Sequence, residues 1–311
     1  MSNELTIIGD PHVKISNLDK IETLFDIIEN LGNTTVILGD LLDTKEVVHS
    51  SCLNLIYRRL NESKLMFYIL VGNHDWHNLE CKDHSLLPLE ALKNVHIVQA
   101  PVITSYGLMV PYIHNHNEFK RIMKKNKGRA KLAFVHQGFS GFDYGNGFIA
   151  EYESELSYIK GYDLVISGHF HKYQKRSNLV YLGTPFSHTF GESNQIKYIG
   201  VLNTETLKLK KYRTPFSNHV TIEIDCDKKS NFVEDKENYV RFILTGNQES
   251  IDHFDRTNHG SNTKFIEKPS SFLNDLVVDE SESNEVKFKK WADAQGLEKE
   301  TINLGLEIMK I

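Results

Sequence analysis

Aspartate, asparagine and histidine recur in this chain at one kind of place, just past a short apolar run. LTII leads to Asp10 and His12, TTVIL to Asp40, and KLMFYILV to Asn73, His74 and Asp75. LAFV leads to His136, and DLVIS leads to His169 and His171. A Gly-Asn turn with solvated polar residues behind it would account for any one of these. It does not account for five. Carboxylate and amide oxygens with imidazole nitrogens, and no thiolate, form a ligand mixture suited to manganese, iron or zinc. Two ions fit this set if one carboxylate bridges them, and Asp40, alone at the end of its run, is the natural bridge. Such a pair, about 3.5–4 Å apart, clamps a phosphate and lowers the pKa of a water molecule. A histidine that titrates near neutrality can protonate the leaving oxygen.

Delivering these groups to one edge requires parallel strands, which carry their chemistry at their carboxyl ends. The spacing predicts them. Between the first two apolar runs, Leu18, Ile21, Leu24, Phe25 and Ile28 fall at helical spacing, with Gly32 as a stop. EVVHSSCLNLIYRRL is a second helix and KLMFYILV a third strand, so the order is β-α-β-α-β with right-handed crossovers. HSLLPLEALK reads as a short helix, VHIVQAPVITSYGLMVPYI as successive short strands, and EFKRIMKKNKGRAK as a basic helix and turn. LVYLGTP, the alternating hairpin IKYIGVLNTETLKLKKYRT and HVTIEID follow. The expected architecture is an α/β/β/α sandwich of four layers, without internal repeats.

The 311 residues are 40% hydrophobic and 25% charged, as in soluble globular proteins. The net charge of -5 does not advertise nucleic-acid binding, but it is uneven. Residues 1–216 hold 24 Lys and Arg against 22 Asp and Glu, whereas residues 217–311 hold 12 against 19, so a polyanion should meet the N-terminal part. Cys52, Cys81 and Cys226 form no CxxC pair, which argues against a disulfide framework and suits a reducing cytoplasm. The start MSNELTIIGD reads as neither leader nor membrane span.

As a set, GDPH, GDLLD, GNHD, VHQG and GHFH resemble, in order and spacing, the calcineurin-like metallophosphoesterases over about residues 5–190. MVPYI and YLGTPFSHTFGE resemble more narrowly the SbcD branch, the nuclease subunits of double-strand-break repair, including phage recombination endonucleases. The resemblance implies one metal at Asp10, His12, Asp40 and His171 and a second at Asp40, Asn73, His136 and His169, most readily manganese. It makes His74, oriented by Asp75, the catalytic acid or transition-state stabiliser. Asp43 departs from the pattern, since many cellular members have histidine there, and that changes how the strand end is held.

The activity implied is 3′-to-5′ exonuclease and single-strand endonuclease action on DNA. The implied partner is an SbcC-type ATPase with long coiled coils; a homodimer stays open, and no membrane is involved. A phosphodiesterase for small molecules or phosphoproteins would use the same site. A scaffold without catalysis would lack ligands, and none is missing.

The expected divisions are a nuclease domain over 1–217, a capping domain over 218–276 and a linker over 277–285. A helical ATPase-binding segment would follow over 286–311. Trp76 could stack on a base or pack, and His77, two residues beyond its motif, reads more readily as a loop residue than as a substrate contact. His49, His84, His96, His114, His116 and His188 have no partner pattern. The basic run from Lys120 to Lys131 is a solvated helix face or a phosphate contact.

Overall fold

The computed structural model describes residues 3–44, 47–78, 80, 82–145, 147–228, 237–256, 262–269, 283–294, 302 and 306. Two compact units divide the chain, Met1–His219 and Val220–Ile311.

The first unit contains two six-stranded sheets. One has the order β12-β11-β1-β2-β3-β4, with β1 (Glu4–Ile8), β2 (Thr34–Ile37), β3 (Phe67–Leu70) and β4 (Val95–Val98) mutually parallel. The antiparallel hairpin of β11 (Tyr198–Asn203) and β12 (Lys208–Arg213) completes it. The other has the order β5-β6-β7-β8-β10-β9. Its parallel centre is β6 (Gly107–Val110), β7 (Leu132–His136), β8 (Leu164–Gly168) and β10 (Leu179–Tyr181). Its antiparallel edges are β5 (Val102–Thr104) and β9 (Gln174–Arg176).

Strands covered on both faces read as continuous apolar runs, which is why LTII and LAFV do not alternate. One core lies between the sheets and includes Leu5, Ile7, Val36, Phe134 and Ile166. Outside the first sheet, Ile21, Leu24, Phe25 and Ile28 of α1 (Leu18–Leu31) pack with Cys52, Leu55 and Ile56 of α2 (Ser50–Glu62). Gly32, at φ 68°, ends α1 in a left-handed turn and returns its N–H to the Ile28 carbonyl. Outside the second sheet, Phe119 and Met123 of α3 (His116–Asn126) pack with Ala133 and Val165. The result is the four-layer α/β/β/α sandwich. HSLLPLEALK contributes only a 3-10 turn, Leu87–Ala91.

The second unit holds a three-stranded sheet of β13 (His219–Asp225), β14 (Tyr239–Gly246) and β15 (Thr263–Pro269). β14 and β15 are parallel, with the short α4 (Gln248–Asp252) between them in sequence. Its core is Ile224, Val240, Phe242, Leu244 and Ile251. A helix, α5 (Asn284–Ala294), carries Val286 and Phe288. Residues 277–282 of the expected linker, and 295–301, 303–305 and 307–311 of the expected tail, lie outside the described residues. No described helix is long and apolar enough to cross a membrane.

Candidate metal centre

The parallel strands of both sheets end at one place. β1 gives Asp10 and His12, β2 Asp40, β3 Asn73 and His74, β7 His136, and β8 His169 and His171. Asp10, His12, Asp40 and His136 are all buried. Three of these residues bend the chain sharply, with φ of 44° at His12, 46° at Asp40 and 90° at His169, a region non-glycine residues rarely occupy. The glycines beside them leave the room this needs. A Cβ on Gly72 would stand 2.1 Å from Asp40 Oδ1, and one on Gly39 would stand 2.2 Å from His136 Nδ1.

Two groups of ligand atoms result. In one, His12 Nε2 faces His171 Nε2 at 3.1 Å and Asp40 Oδ2 at 3.7 Å. Asp10, His12 and His171 each place a ligand atom within 4.8 Å of the others. In the other, Asn73 Oδ1 lies 3.0 Å from His136 Nε2 and 2.7 Å from His169 Nδ1, while Asp40 Oδ2 is 3.4 Å from His136 Nε2. Asp40 Oδ2 thus stands between the groups. Its other oxygen accepts the His74 N–H at 2.8 Å.

The electrostatics favour a cation. Burial would raise the Asp40 carboxyl, but His136 and His12 hold it well below the ordinary range. Burial works against charge on His136, yet Asp40 and Asp10 push it up to about 9. Asp10 is raised to about 6 by burial, with His136 opposing. Burial lowers His12, and it lowers His169 to about 3 with help from His136, so both rings present neutral nitrogens. Asp10 Oδ1 is buried and accepts no hydrogen bond, a costly state that a cation would relieve. The donors present therefore fit divalent metal.

Asp75 requires a correction. Its carboxylate accepts the backbone N–H groups of Gly72 at 2.9 Å, Leu42 at 3.1 Å and Leu41 at 3.3 Å. Fully buried, it ties the β2 and β3 loops together and does not orient the His74 ring. That ring is exposed and places Nδ1 3.0 Å from the Asp43 carbonyl. Because a carbonyl only accepts, Nδ1 carries the proton and Nε2 is left for other work. Asp43 also places its carboxylate 3.3 Å from Lys14 Nζ and 3.5 Å from His12 Nδ1.

Residues to which the sequence reading gave no role complete the site. Glu192 Oε1 lies 3.0 Å from His171 Nδ1, and its other oxygen takes the Lys197 ammonium at 2.5 Å and the Thr184 hydroxyl at 3.1 Å. Lys197, 2% exposed, also donates to the His171 carbonyl at 2.9 Å. His171 is thus held at its ring and its backbone by one buried charge pair. Its pKa is raised, because the Glu192 contact outweighs burial.

His188, read as having no partners, sits with its ring centroid 5.2 Å from that of His12 and 5.9 Å from that of His171. Tyr112 is a site wall, stacked on His169 at 6.0 Å. Trp76 is buried against His84 and cannot stack on a base.

A four-layer sandwich whose parallel strands converge carboxylates and imidazoles on one edge defines a metal-dependent hydrolase. This chain belongs to the calcineurin-like phosphoesterases, whose family model matches residues 4–173. It is 32% identical over 208 residues to a protein of Invertebrate iridescent virus 6 that carries the name phosphoesterase 244L, covering 61% of this chain and 72% of that protein. It is 23% identical over 256 residues to exonuclease subunit 1 of Enterobacteria phage T4, covering 79% of this chain and 75% of that one. A solved structure of an archaeal phosphodiesterase aligns with 68% of this chain and 99% of its own, at 15% identity and a TM-score of 0.39.

Proposed function

We propose that this chain is a two-metal DNA phosphodiesterase of the SbcD type, an exonuclease and single-strand endonuclease serving recombination or repair. The observation that carries the reading is the place of Asp40 Oδ2, 3.7 Å from His12 Nε2 and 3.4 Å from His136 Nε2. The likeness to a phage exonuclease subunit supports DNA as substrate. Asp10, His12, Asp40 and His171 would hold one ion, and Asp40, Asn73, His136 and His169 the other, with manganese the metal of choice. When bound, the ions supply Lewis acidity, neutralising the phosphoryl oxygens and making a water acidic enough to attack.

The protein's own groups do the rest. The Asp43 carbonyl fixes the His74 ring so that Nε2 can carry a proton to the leaving oxygen. Glu192 fixes the tautomer of His171, and the Leu38 carbonyl, 2.8 Å from His136 Nδ1, does the same for His136. The reading extends to an SbcC-type ATPase gripped by the C-terminal helical segment.

The deciding experiment is digestion of end-labelled DNA with manganese, beside a cyclic nucleotide and an aryl phosphodiester. DNA should be cleaved, faster when the ATPase is present. Turnover of the small esters with none of DNA would transfer the site to a small-molecule phosphodiesterase.

A further inference from the structure

Two rows of exposed cations stand out among the described residues, and a sequence ranks them in the wrong order. The conspicuous run, Lys120 to Lys131, has seven. The topology takes it away from the metal centre. α3 starts just after Tyr112, beside His169, and runs away from that edge. Lys131 then precedes β7, five residues before His136, or about 16 Å at about 3.3 Å per residue.

The second place is β12. It is antiparallel to β11, which is antiparallel to β1, so β12 points toward the same edge as β1. Lys211 is level with Ile7 through Gly200, and Arg213 comes two residues further, level with Gly9 and one residue short of Asp10. The lateral offset is two strand spacings, about 10 Å.

Lys208, Lys210, Lys211 and Arg213 are all exposed, and among the described residues none pairs with a carboxylate. Leu209 turns inward to the core between the sheets. Lys208, Lys210 and the half-exposed Tyr212 therefore share the other face. Lys211 lies over the rings of Tyr173, at 3.5 Å, and Tyr198, at 4.5 Å, closing the sandwich at this side. β12 is an edge strand, and among the described residues it pairs only with β11.

We infer that the edge of β12 is a phosphate-tracking surface that leads a single-stranded polynucleotide to the metal centre. The inference rests on the DNA reading and names the form of substrate. Lys208 and Lys210 stand on one face and Arg213 on the face of Leu209 and Lys211, so a backbone following this edge meets cations from both sides over about 17 Å, room for several successive phosphates. Contacts of this kind are independent of sequence and sensitive to salt. Lysines on an edge strand can also serve only to stop a sheet from pairing with another chain, and the two roles separate experimentally.

The test is the triple variant Lys208→Gln, Lys210→Gln, Arg213→Gln, which spares the packed Lys211. Binding of an oligo-dT strand is measured against KCl concentration, and hydrolysis of bis(p-nitrophenyl) phosphate is measured on the same preparation. The variant should keep ester hydrolysis and lose DNA affinity. The slope of log affinity against log salt should shrink by about 2, at about 0.7 per lost phosphate contact. Lys124→Gln with Lys125→Gln on α3 should leave the slope unchanged. Arg213→Gln alone, for use if the triple variant loses ester hydrolysis, should shrink it by about 0.7.

An unchanged slope in the β12 variants, with wild type binding normally, overturns the inference. Unchanged DNA affinity together with self-association would make the row an edge guard only. Wild-type protein that turns over the ester but binds no DNA at low salt would overturn the DNA reading itself.

Discussion

His12 Nε2 and His171 Nε2 face each other at 3.1 Å, one ring following β1 of one sheet and the other following β8, a middle strand of the second. Two imidazole nitrogens this close share at most one proton. Metal bonds of about 2.0–2.1 Å place neighbouring tetrahedral nitrogens about 3.3 Å apart. The pair is spaced as ligands of one coordination shell, and the two sheets meet there.

Asp40→Ala should reduce metal content at both positions, since Asp40 Oδ2 stands between the two groups. Manganese per chain, measured on purified protein by elemental analysis, should fall below that of wild type. Full occupancy of two ions would show that Asp40 does not bridge.

His74→Gln should lower DNA cleavage by about 10²-fold or more, the scale of a general acid. It should leave two ions bound. The ring also lies near His12 and Asp40, close enough to offer a ligand atom, so metal analysis of the variant decides between the roles. Loss of an ion would make His74 a ligand.

Glu192→Gln should weaken metal binding about 10- to 100-fold, because the carboxylate behind His171 sets its tautomer and basicity. It also strands Lys197, and breaking a buried pair costs about 3–5 kcal/mol. Adding Lys197→Met should recover the melting temperature but not the metal affinity. Recovery of both would reduce Glu192 to a structural part.

Gly72→Ala should destabilise the fold by about 1–3 kcal/mol through overpacking and displace Asp40, whose Oδ1 would meet the new methyl at 2.1 Å. Urea denaturation and metal titration measure the two effects. A variant with wild-type values in both would mean the β3 loop moves freely.

If the proposed SbcC-type partnership holds, truncation after Asn284 should leave manganese-dependent cleavage of single-stranded DNA nearly intact and abolish co-purification with that ATPase. A pull-down beside a nuclease assay tests it. Retained ATPase binding, or unfolding, would assign the tail to the body of the enzyme.

Much of this site was legible because its ligands are local to apolar runs. A buried parallel strand must be apolar, and Asp40 or His136 at its end stands out. The helical spacing from Leu18 to Ile28 was visible for the same reason. Glu192, though it closes the motif YLGTPFSHTFGE, and Lys197 drew no role, since GESNQIK has the composition of a solvated loop, and only tertiary placement buries the pair against His171. Asp75 was legible as present and misread in role, because its partners are backbone N–H groups that every residue has. β9 and β15 escaped notice as well. Three residues such as Gln174–Arg176 show no period, and Thr263–Pro269 has mostly exposed side chains.

The centre draws on both sheets, and β1 takes β11 as a neighbour only once Tyr198–Asn203 has been made. A ribosome therefore releases Asp10, His12 and Asp40 long before His136, His169, His171 and the Glu192–Lys197 pair exist to meet them. A prematurely terminated product lacking β8 would keep Asp10, His12, Asp40, Asn73 and His136 but lack His169 and His171, one ligand from each proposed group.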